Sequence, residues 1–137
     1  MRTCPLLRPD ISRLREAGTT IAAAWFLLRG CGASLPVEPA IYDLLVTLPD
    51  GIKRVQVKTT TFSGKEGWVA QVGRRPYSAG KQARLVPYDL KSLDFFFILD
   101  GDLNTYLIPS QVISGRVTIV LRCYSAYIVG SAAGLWG

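Results

Sequence analysis

Apolar and polar positions along the chain follow two rhythms. Ile11–Leu28 is helix-compatible, and its second half, Ile21–Leu28, is apolar nearly all round, as a helix buried against a sheet would be. Gly18-Thr19-Thr20 is expected to interrupt it, with Thr19 or Thr20 capping the second segment. Gly30 or Gly32 suits a left-handed cap at its end. Pro36 and Pro39 then frame an extended stretch holding Glu38, and the rhythm shortens. Tyr42–Leu48 and Ile52–Thr60 read as strands, with Asp50-Gly51 as a two-residue hairpin signal between them. Trp68–Val72 predicts a third strand. Leu93–Leu99 ends in five apolar residues, Phe95-Phe96-Phe97-Ile98-Leu99, and suits a central buried strand. Asp100-Gly101-Asp102 turns the chain into Thr105–Ile108. Val112 and Ile113 fit a short helix or turn, and Val117–Leu121 is a last strand. Residues 1–10 read as an arm or cap, and 73–92 as a polar, basic connection. The tail from Ser125 to Gly137 is apolar enough to dock on the rest. No repeat or linker divides the 137 residues, which read as one α/β domain, 1–137.

The hairpin register decides which side chains meet. With Asp50-Gly51 as the loop, Asp43 is expected opposite Lys58, and Leu45 opposite Gln56. One face then carries Asp43, Leu45 and Thr47 with Lys58, Gln56 and Arg54. The other carries Leu44, Val46 and Leu48 with Val57, Val55 and Lys53, with Tyr42 beside them, and sits on the apolar helix. The first face brings a carboxylate, a carboxamide and an ammonium together. Carboxylate and carboxamide oxygens are hard ligands suited to Mg²⁺, and the backbone carbonyl of Val57 can add another. A lysine beside the ion can orient a metal-activated water, and the ion screens charge developing on a phosphate. The competing reading is a half-exposed hairpin with a cross-strand Asp43–Lys58 ion pair of little energetic weight.

Charge extends this reading. Lys plus Arg number 16 against 10 Asp plus Glu, a net +6, with a sequence pI near 9.5. Arg outnumbers Lys by 11 to 5, which favours partners that present phosphates. Arg74, Arg75, Lys81 and Arg84, interspersed with Tyr77 and Tyr88, make the best nucleic-acid-binding segment; the alternative is a solvated loop. Arg54 and Lys65 are further candidates for phosphate contact, Arg54 having cross-strand packing over Thr47 as its alternative. The sequence has no His, which excludes a Ser-His-Asp triad, a His-ligated zinc and a His general base. Three Cys, odd in number and far apart, fit neither a zinc site nor a disulfide framework and point to a reducing, cytoplasmic setting. The eight-residue run Ile21–Leu28 is short of the roughly 20 residues of a membrane span. No membrane association and no export signal are expected.

Tyr42-Asp43-Leu44 followed by Arg54-Val55-Gln56-Val57-Lys58-Thr59 resembles the motif of the PD-(D/E)XK nuclease superfamily. The layout is similar to small bacterial and phage members related to group I intron homing endonucleases and archaeal Holliday-junction resolvases. An apolar helix ending in Arg29-Gly30 precedes an extended stretch, then Tyr42-Asp43, then Gln56-Val57-Lys58. Tyr88, Leu93–Phe96 and Tyr106–Pro109 look like later strands, so the resemblance covers about Gly18 to Pro109. It implies a restriction-endonuclease-like αβββαβ core, a mixed sheet flanked by helices. It also implies a metal-dependent DNA endonuclease using Mg²⁺ or Mn²⁺. Asp43 becomes the metal-ligating acid, Gln56 stands where Asp or Glu is commoner, and Lys58 is the motif lysine. The first-helix Glu of many relatives falls near Thr19 and is missing, with Glu16 one turn earlier and Glu38 before Asp43 as candidate acids. DNA, duplex or branched, is the implied partner, and a homodimer or homotetramer the implied assembly, in the cytoplasm on the nucleoid or from a phage in its host. The runner-up reading is a DNA-binding or assembly module that keeps the fold and has lost catalysis.

Overall fold

A computed structural model describes residues 10–38, 40–76 and 84–131. Residues 1–9 of the expected arm (1–10), Tyr77, Lys81 and the end of the tail lie outside these residues. Asp10 opens a single 3-10 turn at Ile11–Arg13 by accepting the Ser12 N–H at 3.0 Å. Helix α1 then runs unbroken over Leu14–Leu27. The expected interruption at Gly18 does not occur. Leu14, Gly18, Ala22 and Phe26 recur every fourth residue and form the buried stripe. Gly18 is where the helix comes closest to the sheet: a Cβ there would lie 2.8 Å from Thr59 Cγ2 and 3.4 Å from Val57 Cγ1. The glycine serves close approach rather than a break. Gly30, at φ +80°, ends the helix, while the Cys31 N–H returns to the Phe26 carbonyl.

Two strands follow, β1 (Gly32–Ser34) and β2 (Leu44–Leu48), and then β3 (Gly51–Thr59). β2 and β3 form the expected hairpin in a shifted register. Leu48 pairs with Gly51 and Leu44 with Val55, so the loop is Pro49-Asp50. Proline's fixed φ suits the first turn position, and Gly51 takes up φ +135° as the strand resumes. The shift is two residues, so each side chain keeps its expected face but gains a different neighbour. Asp43 therefore comes opposite Gln56, not Lys58.

β4 (Ser63–Gly64) and β5 (Gly67–Gln71) form a second hairpin. β6 (Phe95–Leu99) and β7 (Thr105–Pro109) follow. After them come the short helix α2 (Ser110–Ile113), β8 (Thr118–Val120), a 3-10 segment over Leu121–Tyr127 and β9 (Ile128–Gly130). The main sheet has the order β1-β2-β3-β6-β7-β9, with β3 and β6 parallel and the other pairs antiparallel. β4, β5 and β8 form a smaller sheet. Among the described residues, the connection from β5 to β6 contains no helix where the αβββαβ pattern would place its second one. The docked part of the tail is β9, which extends the main sheet beside β7.

Both faces of the main sheet are covered. On one, α1 packs Ala22 and Phe26 against Leu44, Val46, Val55, Val57, Phe97 and Leu99. On the other, Phe96, Ile98 and Ile108 pack with Ala70, Val72, Ile119 and Leu121 from the smaller sheet and its surroundings. This explains the uninterrupted apolar run of β6: alternate residues enter different cores. Tyr42, expected on the helix side, packs on the second core, because the chain leaves strand geometry before β2 begins.

Gly18→Ala sets a helix-propensity gain of about 1 kcal/mol against overpacking of typically 1–3 kcal/mol. Chemical denaturation is expected to show a net loss of about 1 kcal/mol. In a Thr59→Ser background, which removes the methyl in the way, the same substitution should become neutral or stabilising.

Candidate active site

The site begins where β2 stops matching β3. Asp43 stands one residue before β2, and its own N–H donates to the Val55 carbonyl at 2.9 Å. The backbone bends there, so its carboxylate takes the place of the next ladder acceptor. Oδ2 accepts the Val57 N–H at 2.8 Å and the Gln56 Nε2–H at 2.8 Å. Two residues along β3, the Lys58 ammonium donates to the Gly73 carbonyl at 3.2 Å. It also stands 5.1 Å from the centre of the Tyr88 ring. Asp43 faces Gln56 instead of Lys58 in the shifted register, and no Asp43–Lys58 ion pair forms among the described residues.

Asp43, Gln56 and Lys58 nevertheless line one cavity of about 550 Å³. Helix α1 contributes Arg15 and Thr19, one turn apart on the same face. β5 and the loop after it contribute Gln71 and Arg75. Burial raises the Asp43 carboxyl above the ordinary Asp value. The Val57 hydrogen bond and Lys58 oppose that rise, and Glu38 adds to it. Burial lowers the Lys58 ammonium; Asp43 opposes this and Arg15 reinforces it. The Tyr88 hydroxyl, desolvated and near Asp43, is pushed up to about 12. Two oppositely charged groups held partly out of water in one polar cavity make it the candidate functional site.

The other expected residues are arranged differently. Glu38 is exposed, accepts the Ala40 N–H at 3.3 Å and reaches Asp43 only through its charge. Glu16 is exposed and paired with Arg13 at 2.6 Å. The Arg54 guanidinium holds Asp94 at 3.2 Å and the Lys91 carbonyl at 2.6 Å, the arrangement that ties β3 to the segment entering β6. Burial would raise the Asp94 carboxyl, but the Arg54 backbone and side-chain hydrogen bonds outweigh it and hold it low. Lys65 stands in the β4–β5 turn, and Arg84 is exposed. Arg74 forms a backbone bridge with Val86 and is exposed. Of the basic segment, Arg75 is the described residue that lines the cavity. Sequence reasoning passed over Arg15, Thr59 and Gln71. Arg15 was readable: it lies four residues before Thr19, on the same face once Gly18 is taken as a packing residue.

Both bonds to Asp43 fall on Oδ2. Asp43 Oδ1 and Gln56 Oε1 accept no hydrogen bond among the described residues. Such oxygens suit a small hard cation such as Mg²⁺ or Mn²⁺ by type. The set carries a single full negative charge, and no group of three or more His, Cys, Asp or Glu residues clusters among the described residues.

The sequence pattern of the PD-(D/E)XK endonucleases matches residues 12–127. The chain belongs to this family. The solved structure of a bacterial homing endonuclease, I-Ssp6803I, is similar to it at 26% identity and a TM-score of 0.64. That likeness covers 76% of this chain and 72% of the other. No curated protein matches the chain. The expected membership and the restriction-endonuclease-like fold therefore hold.

The two desolvated charges make a stability prediction with a definite sign. Between the ordinary Asp value and its raised folded value, the folded protein keeps a proton that the unfolded chain has lost. Stability falls as pH rises through that window, and the penalty is full above it. For Lys58 the penalty is full below its lowered folded value and disappears as pH rises through 10.5, the ordinary Lys value. At neutral pH both charges oppose folding. Asp43→Asn/Lys58→Met should therefore melt a few degrees above wild type in a thermal scan at pH 7. A lower melting point would show that the pair is a net stabiliser.

Proposed function

We propose that the chain is a metal-dependent DNA endonuclease that hydrolyses phosphodiester bonds at the Asp43–Gln56–Lys58 cavity. The observation that carries this is the convergence of these three side chains, with Arg15 and Arg75, in one polar cavity of a chain of net charge +6. Asp43 and Gln56 are the residues that would hold a divalent ion, with the Val57 carbonyl beside them. When bound, that ion supplies charge neutralisation at the scissile phosphate. Lys58 is held by the Gly73 carbonyl with its ammonium in the cavity wall. Its lowered proton affinity lets it orient the attacking water and exchange a proton with it near neutral pH more readily than an exposed lysine. Asp43 has two tasks, since its hydrogen bonds to Val57 and Gln56 fix the end of the hairpin on which Gln56 and Lys58 stand. The described residues hold one such site, so cutting both strands of a duplex together would take two copies, as in a homodimer or homotetramer.

The single carboxylate in the cavity wall favours a second reading, a module that binds DNA without cutting it. A nicking assay on supercoiled and branched DNA with Mg²⁺ or Mn²⁺ separates the two. Wild type is expected to cleave. Asp43→Ala and Lys58→Ala should each lose about a hundredfold or more in rate while still binding DNA. Equal activity in all three proteins would reject the mechanism. Binding without cleavage by wild type in either metal would establish the second reading.

A further inference from the structure

Helix α1 brings a cation, Arg15, into the cavity wall. Among the described residues, the cavity's charged lining is one carboxylate, Asp43, against Arg15, Lys58 and Arg75. Arg15 is exposed on the first full turn of α1. Its guanidinium makes no hydrogen bond or ion pair with any described residue, whereas the adjacent Glu16 is held by Arg13. Arg15 and Lys58 line the same cavity. A cation left unpaired in a cavity beside another cation raises the energy of the empty site, and an anion entering the cavity relieves it. A divalent ion meets the opposite situation: one carboxylate attracts it and the cations repel it.

We propose that Arg15 is a phosphate-binding residue of the cleavage site, and that DNA binds before the divalent ion and supplies the negative charge that one carboxylate leaves missing. This rests on the endonuclease reading above and adds an order to it. Guanidinium offers paired donors that match phosphate oxygens, and α1 packs closely on β3 at Gly18, so Arg15 is presented from a packed helix. Phosphate binding then does not wait for metal, and metal affinity depends on DNA.

Two measurements on the full chain test this. The first is fluorescence anisotropy with a labelled DNA duplex in EDTA. Wild type is expected to bind, Arg15→Ala to lose about tenfold in affinity with its salt slope reduced by about one, and Arg15→Lys to recover part of the loss. The second is calorimetric titration of Mn²⁺ into the free protein. Wild type should show no saturable site, and Arg15→Glu, which supplies an acid at the same place, should gain one. Unchanged DNA affinity in Arg15→Ala overturns the proposal, as does Mn²⁺ binding to free wild type that matches Arg15→Glu. Both arms are read without cleavage. An inactive wild type that passes them rejects the endonuclease reading alone, and an active one that fails them rejects the Arg15 assignment alone.

Discussion

The Asp43 carboxylate stands in for a backbone carbonyl. At the point where β2 bends away, β3 continues beside β6 with the Val57 N–H facing the gap. Oδ2 fills that gap and holds the Gln56 amide with the same oxygen. A ladder hydrogen bond and the candidate site thus share one atom. Leaving a buried backbone donor unsatisfied costs about 1–3 kcal/mol, so the bend and the carboxylate are tied together. Every other feature of the site follows from where that bond places β3.

The layers then bring remote residues to it. β6, buried on both faces, fixes β3 from the far side through parallel pairing from Val55 to Thr59. Helix α1 lies close against the opposite face of β3 because residue 18 has no side chain. Arg15 and Thr19 on either side of that contact reach the cavity, while Glu16 points to solvent and pairs with Arg13. The small sheet closes the cavity from the other side through Gln71 and the Gly73 carbonyl that holds Lys58. Packing constraints on apolar and glycine positions therefore determine which charges meet.

Those charges do not cancel. Asp43 and Lys58 are each held away from their preferred state by burial, and each is only partly relieved by the other. With a neutral Gln56 beside Asp43 and with Arg15 on the helix, cations outnumber carboxylates among the described residues that line the cavity.

Much of this was legible in the residues alone. The hairpin, the central β6 run and the shared face of Asp43, Gln56 and Lys58 follow from apolar periodicity and residue type, which are local properties, while their reading as a motif rests on the family resemblance. The face on which each motif residue lies survived the register shift because strand side chains alternate with a period of two. The partner of Asp43 did not survive it: turn choice between Asp50-Gly51 and Pro49-Asp50 depends on how both strands pack. Gly18 read locally as a break, and only the approach of β3 shows it as a contact. The commitment of Arg54 to Asp94, the β9 edge and the arrival of Arg15 in the site join residues distant in sequence. Local sequence determined the elements and the chemistry available on each. Tertiary packing decided which side chains share a cavity, because that depends on distances between elements that no single segment encodes.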